Sequence, residues 1–487
     1  MTLDADAGED VTAEVGEEVV LDGGNSTASV ETFSFEWSFV STPENSTAEL
    51  QNANTETPSF TPDVEGEYMV KLTISTDDKE DTDNVIVDAY RVGPDEISED
   101  IESNTIWENH IDDPDVPDYH VTDDIDVNAD LTIEPGVKVH FDQDVFMTVE
   151  NGAIVAEGNS GEWITLTSSS EEGEVNWGGV IISSSDSRNT ISYTEIRYAG
   201  GDEIGFADFT DKKAAVGLKE DGELNLNNSV ISNSDGYGLY VRYGELSEFE
   251  NNEFNDNEEQ GIGVCMTKAA VIDENTTFSG NEYAVDIFGS ESAEGDELTY
   301  INLSGDASYY VTGDLENNAE LTIDPGAKFE FRQNVGMTVT PDGMLKADAE
   351  GDETVIFTGA SDHAHWKGIG VESSDARNEL NNVEISGAGS YEWGFEDFKD
   401  KEAALALKTG GEIKLKNSVI SNSNGYGMYA RYGEVTEFEG NTFTDNNGPA
   451  IGLYADLAGM IDEETSFSGN EWDGVEIFES TLNEDAT

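Results

Sequence analysis

A 24-residue spacing of apolar residues in the second half of the chain limits the fold more than any other feature. Val230, Phe254 and Phe278 recur at this spacing, and an asparagine follows each of them three residues later. The same spacing returns further along the chain at Val419, Phe443 and Phe467. The asparagines of this predicted ladder are Asn233, Asn257, Asn281, Asn422, Asn446 and Asn470.

Stacked β-coils need this kind of repeat. The apolar side chain points into a cylinder, and the asparagine sits at a corner, where it tolerates a left-handed backbone and its amide can bond to the asparagine of the next coil. A single coil cannot bury its own inner face, so that stacking of neighbouring coils supplies the core. The spacing therefore predicts a parallel β-helix.

The repetitive region is itself duplicated. ISNSDGYG at 231 returns as ISNSNGYG at 420, and RYGE at 242 returns at 431, both at a 189-residue offset. LTIEPG at 131 returns as LTIDPG at 321, one position later than that offset predicts. We therefore predict two tandem copies of the β-helix, at 118–296 and 297–480, followed by a tail at 481–487.

The same segments carry a resemblance to a known family. The LTI-[ED]-PG motif and the W-x-G turns at Trp177 and Trp366 resemble right-handed parallel β-helix repeat proteins of secreted bacterial and archaeal origin. The resemblance covers 119–480, and it implies the right hand, which the spacing does not show. Almost no helix is expected in this part of the chain.

The first 90 residues have a different pattern. Short apolar runs alternate with Gly, Pro and Asn breaks, which predicts an Ig-like β-sandwich. The runs FSFEWSFV from Phe33 and TPSFTPDVEGEYMVKLTIS resemble a PKD-type Ig-like domain over 1–90, with Trp37, Phe60 and Tyr68 as core residues. This resemblance implies exposure outside the cell. An acidic, Pro-rich stretch at 91–117 is predicted as a linker or cap. With a β-sandwich before it and a β-helix after it, the expected fold class is all-β.

The charge balance restricts the partners. The chain has 106 acidic and 22 basic residues, for a net charge of −84. Such a surface repels itself in dilute buffer, whereas molar salt shortens the Debye length to about 3 Å. The composition therefore predicts a salt-adapted protein. Nucleic acid, which requires Lys and Arg against its phosphates, is excluded as a partner, and no apolar run of transmembrane length occurs.

Each copy breaks the regular spacing once, ahead of the ladder, at 198–215 and at 387–404. Loops that leave a rigid scaffold commonly carry binding function. We predict that these two insertions lie on one side of a rod and bind a glycan or a cation. The candidate residues are Phe206, Asp208, Phe209, Asp211, Lys212, Phe395, Asp397, Phe398, Asp400 and Lys401. The alternative is an arm folded on the β-helix, with Phe anchors and Lys paired to Asp.

A second matched cluster is GYGLYVRYGE, with Tyr240 and Arg242 in the first copy and Tyr429 and Arg431 in the second. Residues two apart in a strand share a face, so each Tyr and Arg pair is expected to face outward together. The pair could stack on sugar rings. Because Arg is scarce in this chain, the alternative is that each Arg is the centre of a salt-bridge cluster.

Two classes of function remain open from the sequence. The first is a non-catalytic extracellular or cell-surface protein, structural or adhesive, with glycans or other surface proteins as partners. The second is a polysaccharide lyase or glycoside hydrolase on a β-helix, although no catalytic residues are identified. No cofactor is predicted. Ca²⁺ or another cation is compatible with the acidic surface, but Ala129 and Pro135 break the one EF-hand-like run at 124–135. The start MTLDADAGED does not read as a signal peptide.

Overall fold

The computed structural model describes residues 2–29, 32–91, 93–111, 115–170, 175–206, 211–351, 353–361, 365–394 and 401–478. The chain divides into two compact units. One comprises Met1–Asp95 and His110–Asp118, and the other comprises Glu96–Asn109 and Tyr119–Thr487. Both are built from strands, and the predicted all-β fold class is confirmed.

The first unit is a small antiparallel-rich sandwich. Its largest sheet has four strands in the order Val11–Glu14, Lys79–Tyr90, Gly66–Thr76 and Ser34–Ser41. Two further pairs are Leu3–Asp4 with Thr27–Ala28 and Val19–Val20 with Ser59–Phe60. The predicted core residues Trp37, Phe60 and Tyr68 are all buried. The Tyr68 hydroxyl donates to the Val64 carbonyl at 2.8 Å, which satisfies its polar group inside the core.

The second unit is a parallel β-helix in which each coil contributes three strands, here called A, B and C in chain order. The A strands of the first copy are Asp95–Ile97, Tyr119–Val121, Lys138–Phe141, Ile164–Ser168, Thr194–Arg197, Val230–Ser232, Glu253–Asn255 and Thr277–Ser279. Its B strands are Ile125–Val127, Phe146–Val149, Gly179–Ile182, Ala214–Leu218, Tyr237–Val241, Ile262–Cys265 and Val285–Phe288. Its C strands are Thr105–Trp107, Leu131–Ile133, Ile154–Glu157, Thr190–Ser192, Glu223–Asn227 and Glu245–Glu250.

The second copy repeats the three-strand coil. Its B strands are Ser290–Glu291, Leu315–Asn317, Gly336–Val339, Gly368–Val371, Lys401–Leu407, Tyr426–Ala430, Pro449–Tyr454 and Trp472–Phe478. Its C strands are Glu297–Tyr300, Glu320–Ile323, Met344–Asp348, Glu379–Asn381, Glu412–Lys416 and Glu434–Glu439. Its A strands are Tyr309–Val311, Lys328–Phe331, Val355–Gly359, Val383–Ser386, Val419–Ser421, Thr442–Thr444 and Ser466–Ser468.

Little helix is present among the described residues. It is limited to an α-helical turn at Met266–Ala269 and a 3-10 turn at Ala458–Met460, at matching places in the two copies. No helix in the described part of the chain is long and apolar enough to cross a membrane.

The two copies are joined with a shift of one face. The last B strand of the first copy pairs with the first A strand of the second, with Val285 opposite Tyr309 and Ile287 opposite Val311. The B strands of the first copy and the A strands of the second thus form one 14-stranded sheet. Along this sheet, seven coils lead from the B strand Tyr237–Val241 to the A strand Val419–Ser421. The equivalent of Tyr237–Val241 in the second copy is Tyr426–Ala430, which lies one face further on, so the repeat is not a whole number of coils. Corresponding side chains of the two copies consequently point in different directions from the axis.

The asparagine ladder differs from the predicted one by one residue at its start. Asn257 Nδ2 donates to Asn281 Oδ1 at 2.9 Å, and Asn446 Nδ2 donates to Asn470 Oδ1 at 2.7 Å. The preceding coil, however, contributes Ser234, whose backbone N–H donates to Asn257 Oδ1 at 3.1 Å.

Asn233 and Asn422 occupy the neighbouring corner position. Their φ angles of 57° and 53° are left-handed, as are those of Asp256 and Asp445 in the next coils. The reason is that the first inward residue is Ile231, opposite Phe254, instead of the partly exposed Val230. The first step of the series is thus one residue shorter than predicted, and the 24-residue spacing holds only for the next coil.

Part of the predicted linker belongs to the β-helix. Thr105–Trp107 pairs in parallel with Leu131–Ile133, and the buried Trp107 ring stacks on Tyr119 with centroids 5.0 Å apart. The acid-rich and Pro-rich composition of 91–117 hid this coil, because the apolar residues described on its inner face are few: Ile97, Ile101 and Trp107.

The two W-x-G turns place tryptophan inside each copy. Trp177 and Trp366 are fully buried and stack on Phe141 and Phe331, with ring centroids 4.1 and 4.2 Å apart. Each indole N–H donates to a backbone carbonyl one coil away, at 2.9 and 2.8 Å. The glycine two residues later has a positive φ in both copies, which explains why this turn requires it.

Asn446 and Asn422 provide a test of which asparagine carries the ladder. Asn446→Ala removes the acceptor of the buried Ser423 N–H and the donor to the Ile420 carbonyl and Asn470 Oδ1. The substitution should therefore lower the free energy of unfolding by about 2–4 kcal/mol. Asn422→Gly keeps a residue that adopts a left-handed φ, and should cost less than about 0.5 kcal/mol. Urea unfolding at constant high salt measures both, and a larger loss for Asn422→Gly would contradict the assignment.

Candidate functional site

The first insertion folds back on the B face of the first copy. Ile204–Gly205 pairs antiparallel with Asp211–Lys212, and the buried Phe206 ring lies 5.0 Å from Tyr240. Lys212 Nζ lies over the Tyr237 ring, 5.2 Å from its centroid. Asp211 is exposed. The predicted residues Asp208 and Phe209 lie outside the described residues.

The second insertion uses a different anchor. Glu392–Trp393 pairs antiparallel with the start of the strand Lys401–Leu407, and the buried Trp393 donates its indole N–H to the Ala403 carbonyl at 3.1 Å. Lys401 Nζ lies 5.4 Å from the centroid of the Tyr426 ring, as Lys212 does over Tyr237. The predicted residues Phe395, Asp397, Phe398 and Asp400 lie outside the described residues.

The two insertions do not share one side of the β-helix. Each leads into a B strand, but the B strands of the second copy belong to a separate sheet from those of the first. The expectation that they lie together on one side was wrong, because the one-face shift between the copies turns the second insertion away from the first.

Tyr240 and Tyr429 are not free platforms for a sugar ring in this conformation. They are 2% and 0% exposed, and each is enclosed by other aromatic rings: Phe206, Tyr237 and Phe288 around the first, Tyr426 and Phe478 around the second. The predicted outward direction is right, but aromatic residues of the arm and neighbouring coils cover the rings.

The matching arginines lie against aromatic rings. Arg242 stands 4.8 Å from the centroid of Phe288 and 5.6 Å from that of Tyr243. Such cation–π contacts attract a guanidinium to the face of a ring. The sequence suggested salt bridges as the alternative role of these arginines, and it did not predict their contacts with aromatic rings.

Arg431 borders a recess of about 550 Å³ at the turn between B and C strands of the second copy. Its guanidinium carbon lies 5.3 Å from the ring centroids of both Tyr432 and Tyr454, and its Nε donates to the Tyr454 hydroxyl at 3.1 Å. Both tyrosines are half-buried, so part of each ring faces the recess. We call this recess the Arg431 cleft, and its full lining is Ser374, Gly410, Gly411, Glu412, Arg431, Tyr432, Gly433, Glu434, Tyr454, Asp456 and Leu457.

The equivalent place in the first copy has different chemistry. Cys265 stands where the second copy has Tyr454, and Lys268 stands where it has Leu457. Lys268 Nζ forms an ion pair with Glu245, the equivalent of Glu434. The first copy thus lacks one aromatic wall and ties down one carboxylate. Sequence reasoning missed Tyr454, because it sought residues that the copies share, whereas the signal here is a difference between them.

A buried carboxylate joins the two copies. Asp286 is 5% exposed and accepts hydrogen bonds from the Tyr237 hydroxyl at 2.8 Å and from Thr312 Oγ1 at 2.6 Å. Burial raises the pKa of Asp286 above its ordinary value, although the two hydrogen bonds oppose the shift. The bonds tie one B strand of the first copy to the first A strand of the second.

Metal binding has no assembled ligand set within the described ranges. No group of three or more His, Cys, Asp or Glu side chains is placed to hold an ion there. The acidic residues are spread over the outer surface, and their cation binding stays a prediction.

Comparison with known proteins identifies both units. A family model for a PKD domain matches residues 7–88. The model "Right handed beta helix region" matches 152–320 and 403–484, which together make up more than half of the chain. The chain belongs to the right-handed β-helix family. Its N-terminal unit is a PKD domain, as the sequence predicted.

Two of the solved structures that match the chain cover its PKD domain alone. The solution structure of the PKD domain from KIAA 1837 protein is 29% identical, covering 18% of this chain and 89% of that one, with a TM-score of 0.16. The PKD domain of human KIAA0319 is 26% identical, covering 19% and 86%, with the same TM-score of 0.16. No curated protein gives a significant match to the chain.

Asp286→Asn tests the buried carboxylate. A raised pKa means that the folded state holds the proton more tightly than the unfolded chain, so the stability contributed by Asp286 is complete below its unfolded pKa and is lost as the pH rises through the folded pKa. The neutral variant should therefore melt at a higher temperature than the wild type at pH 7, and the difference should vanish toward pH 4. Thermal unfolding across this range measures it, with the exposed Asp306→Asn as control. A destabilised variant at pH 7 would show that the charge itself is needed.

Proposed function

We propose that this protein is a non-catalytic, salt-adapted extracellular or cell-surface protein that binds an uncharged glycan in the Arg431 cleft. PKD and β-helix domains together indicate a surface or carbohydrate-related protein, and PKD domains are typical of extracellular proteins. The observation that carries the glycan assignment is the cleft itself, with its two half-buried tyrosine rings and its guanidinium.

The chemistry of the cleft fits a sugar better than a charged ligand. Tyrosine rings provide flat apolar surfaces with a polar edge, and Glu412, Glu434 and Asp456 offer acceptors for hydroxyl groups. The same carboxylates, and a net charge of −84 over the chain, repel anionic polysaccharides. An uncharged glycan is not repelled by these carboxylates, and its binding does not require a charged group of the ligand to leave water.

The salt-adapted part of the proposal rests on where the charge lies. Basic side chains are few, and they are held in local clusters: Arg188 contacts Asp130 and Asp186, and its equivalent Arg377 contacts Glu320 and Asp375. Most acidic residues have no basic residue available, because acidic side chains outnumber basic ones by 106 to 22. Their mutual repulsion acts over about 30 Å in 0.01 M salt but only about 3 Å in 1 M salt.

Removing salt tests the electrostatic argument. Dialysis from about 1 M to about 0.01 M NaCl lengthens the Debye length roughly tenfold, so we expect the melting temperature to fall steeply and the β-signal in circular dichroism to weaken. Sucrose added at low salt serves as a control for stabilisation that does not screen charge. A melting temperature independent of NaCl would contradict salt adaptation.

Mutation of the cleft tests glycan binding. Wild type and variants are screened in high salt against an array of neutral, cationic and anionic glycans, and affinities for neutral hits are measured by calorimetry. Tyr454→Cys installs the residue of the first copy and should weaken binding about tenfold, the effect of losing about 1.4 kcal/mol of ring contact. Tyr243→Ala removes a 49% exposed tyrosine of the first copy and should leave binding unchanged.

Two results would contradict the proposal. Equal affinity of Tyr454→Cys and wild type would place the glycan elsewhere on the chain. Release of shortened products from any bound polysaccharide would show that the protein is an enzyme instead of a binding protein.

A further inference from the structure

A second recess lies beside the second insertion, on the outer side of the same B strands. Its volume is about 320 Å³. We call it the Tyr391 groove, and it is lined by Asp314, Glu316, Gly336, Thr338, Lys367, Tyr391, Trp393, Gly394 and Lys408. The Tyr391 ring is 46% exposed and meets Trp393 edge-on, with centroids 5.5 Å apart. An aromatic ring thus forms one wall of an open, polar-lined groove.

The first copy fills the equivalent place. There Phe146 stands where the second copy has Gly336, and its ring lies directly over Gly178, the equivalent of Lys367: a Cβ built on Gly178 would come within 2.6 Å of that ring. In the second copy the large residue is gone, and the Lys367 stem lies against Gly336. Two exchanges between the copies have therefore replaced an aromatic plug with an open groove.

The insertion beside the groove also differs between the two copies. Tyr391 and Trp393 occupy the positions of Asp202 and Ile204 in the first copy. Lys367 Nζ lies 2.5 Å from Asp314 and 4.8 Å from the centroid of the Tyr391 ring, so that it steadies the exposed ring from one side. A groove arising from chance drift would not be expected to gain two aromatic residues on its wall while losing the one that filled it.

The Tyr391 groove and the Arg431 cleft follow one another along the second copy. The groove spans the coils of Asp314, Gly336, Lys367 and Lys408, while the cleft includes Ser374 and Gly410, two residues after Lys408, and continues through Arg431 to Tyr454. Both lie on the B strands or at their ends, and successive coils stand about 4.8 Å apart. The two recesses therefore adjoin where Lys408 of the groove precedes Gly410 of the cleft.

The first copy differs from the second at the matching positions of both recesses. Phe146 covers the groove, and the Lys268–Glu245 ion pair with Cys265 replaces the open cleft. Since the two copies began as the same sequence, these exchanges distinguish the second copy at both the groove and the cleft.

We propose that the Tyr391 groove is a second subsite of the glycan site, so that the second copy binds one neutral polysaccharide chain lengthwise along its B face. This inference rests on the proposed function of the Arg431 cleft. In the groove the cation of Lys367 is already paired with Asp314, and that of Lys408 with Glu372. Ring stacking on Tyr391 and hydrogen bonding to Glu316 and Thr338 are then the means of holding an uncharged sugar.

The test uses oligosaccharides of one to six units from the cellulose, laminarin, mannan, amylose and chitin series, titrated into the full chain by calorimetry in high salt. For the series that binds, wild-type affinity should rise at least tenfold from the shortest bound oligomer to the hexamer. The double variant Gly336→Phe/Lys367→Gly copies the plug of the first copy and should abolish that gain while leaving the shortest oligomer bound with wild-type affinity. Tyr391→Ala, which adds no bulk, should lose most of the same gain.

The possible outcomes distinguish failure of the groove proposal from failure of the cleft proposal. If both groove variants bind the hexamer as wild type does, or if wild-type affinity does not rise with length, the groove is not a subsite and the cleft proposal stands. If Tyr454→Cys weakens neither short nor long oligomers while the groove variants weaken the hexamer, the cleft proposal fails, and the assignment of the groove as its second subsite fails with it. If no neutral series binds the wild type, both are overturned.

Discussion

The stacking of one parallel coil on the next is the interaction on which this molecule depends. Each strand gives its backbone hydrogen bonds to the coils before and after it, and each inward side chain lies on its counterpart one coil away, as Phe254 lies on Phe278. The corners, where strands end and backbone groups would be left unpaired, are satisfied by buried asparagines. Asn252 is an example, because it accepts from Ser229 N–H and donates to the Leu226 carbonyl. A buried polar group without such a partner would cost more than the bond contributes.

Because stacking consumes the inner face and the backbone, the outer face is free to vary. The duplication shows how far that freedom extends. Inside the cylinder the copies remain close, with Trp177 and Trp366 making the same ring contact and the same indole hydrogen bond. Outside it, Phe146 and Gly336 occupy equivalent positions with opposite effects on the surface. Packing thus preserves the scaffold in both copies, while the surface at this position differs between them.

The shift of one face at the seam adds a geometrical consequence. Had the repeat been a whole number of coils, the two insertions would have lain in line on one side. Because it is longer by one face, the strand Val285–Phe288 continues into an A strand, and the second copy presents its insertion in another direction. The buried Asp286 fastens this seam through Tyr237 and Thr312. In their described parts, the two insertions are therefore separate features on different sheets.

The sequence by itself determined the architecture, because the fold depends on properties that recur at a fixed spacing. The apolar repeat, the corner asparagines and the 189-residue offset were sufficient for the β-helix and its duplication, and the alternating runs around Trp37 were sufficient for the sandwich. Only the tertiary structure decided the register of the ladder, the seam and the recesses. Single-residue differences in coil length shift which asparagine is buried, and no averaged period reveals them: the step from Ile231 to Phe254 is one residue shorter than the step from Phe254 to Phe278. A recess opens where a glycine replaces a large side chain next to a neighbouring coil. The sequence does not show which residues become such neighbours, because folding brings together residues far apart in the chain, such as Gly336 and Lys367.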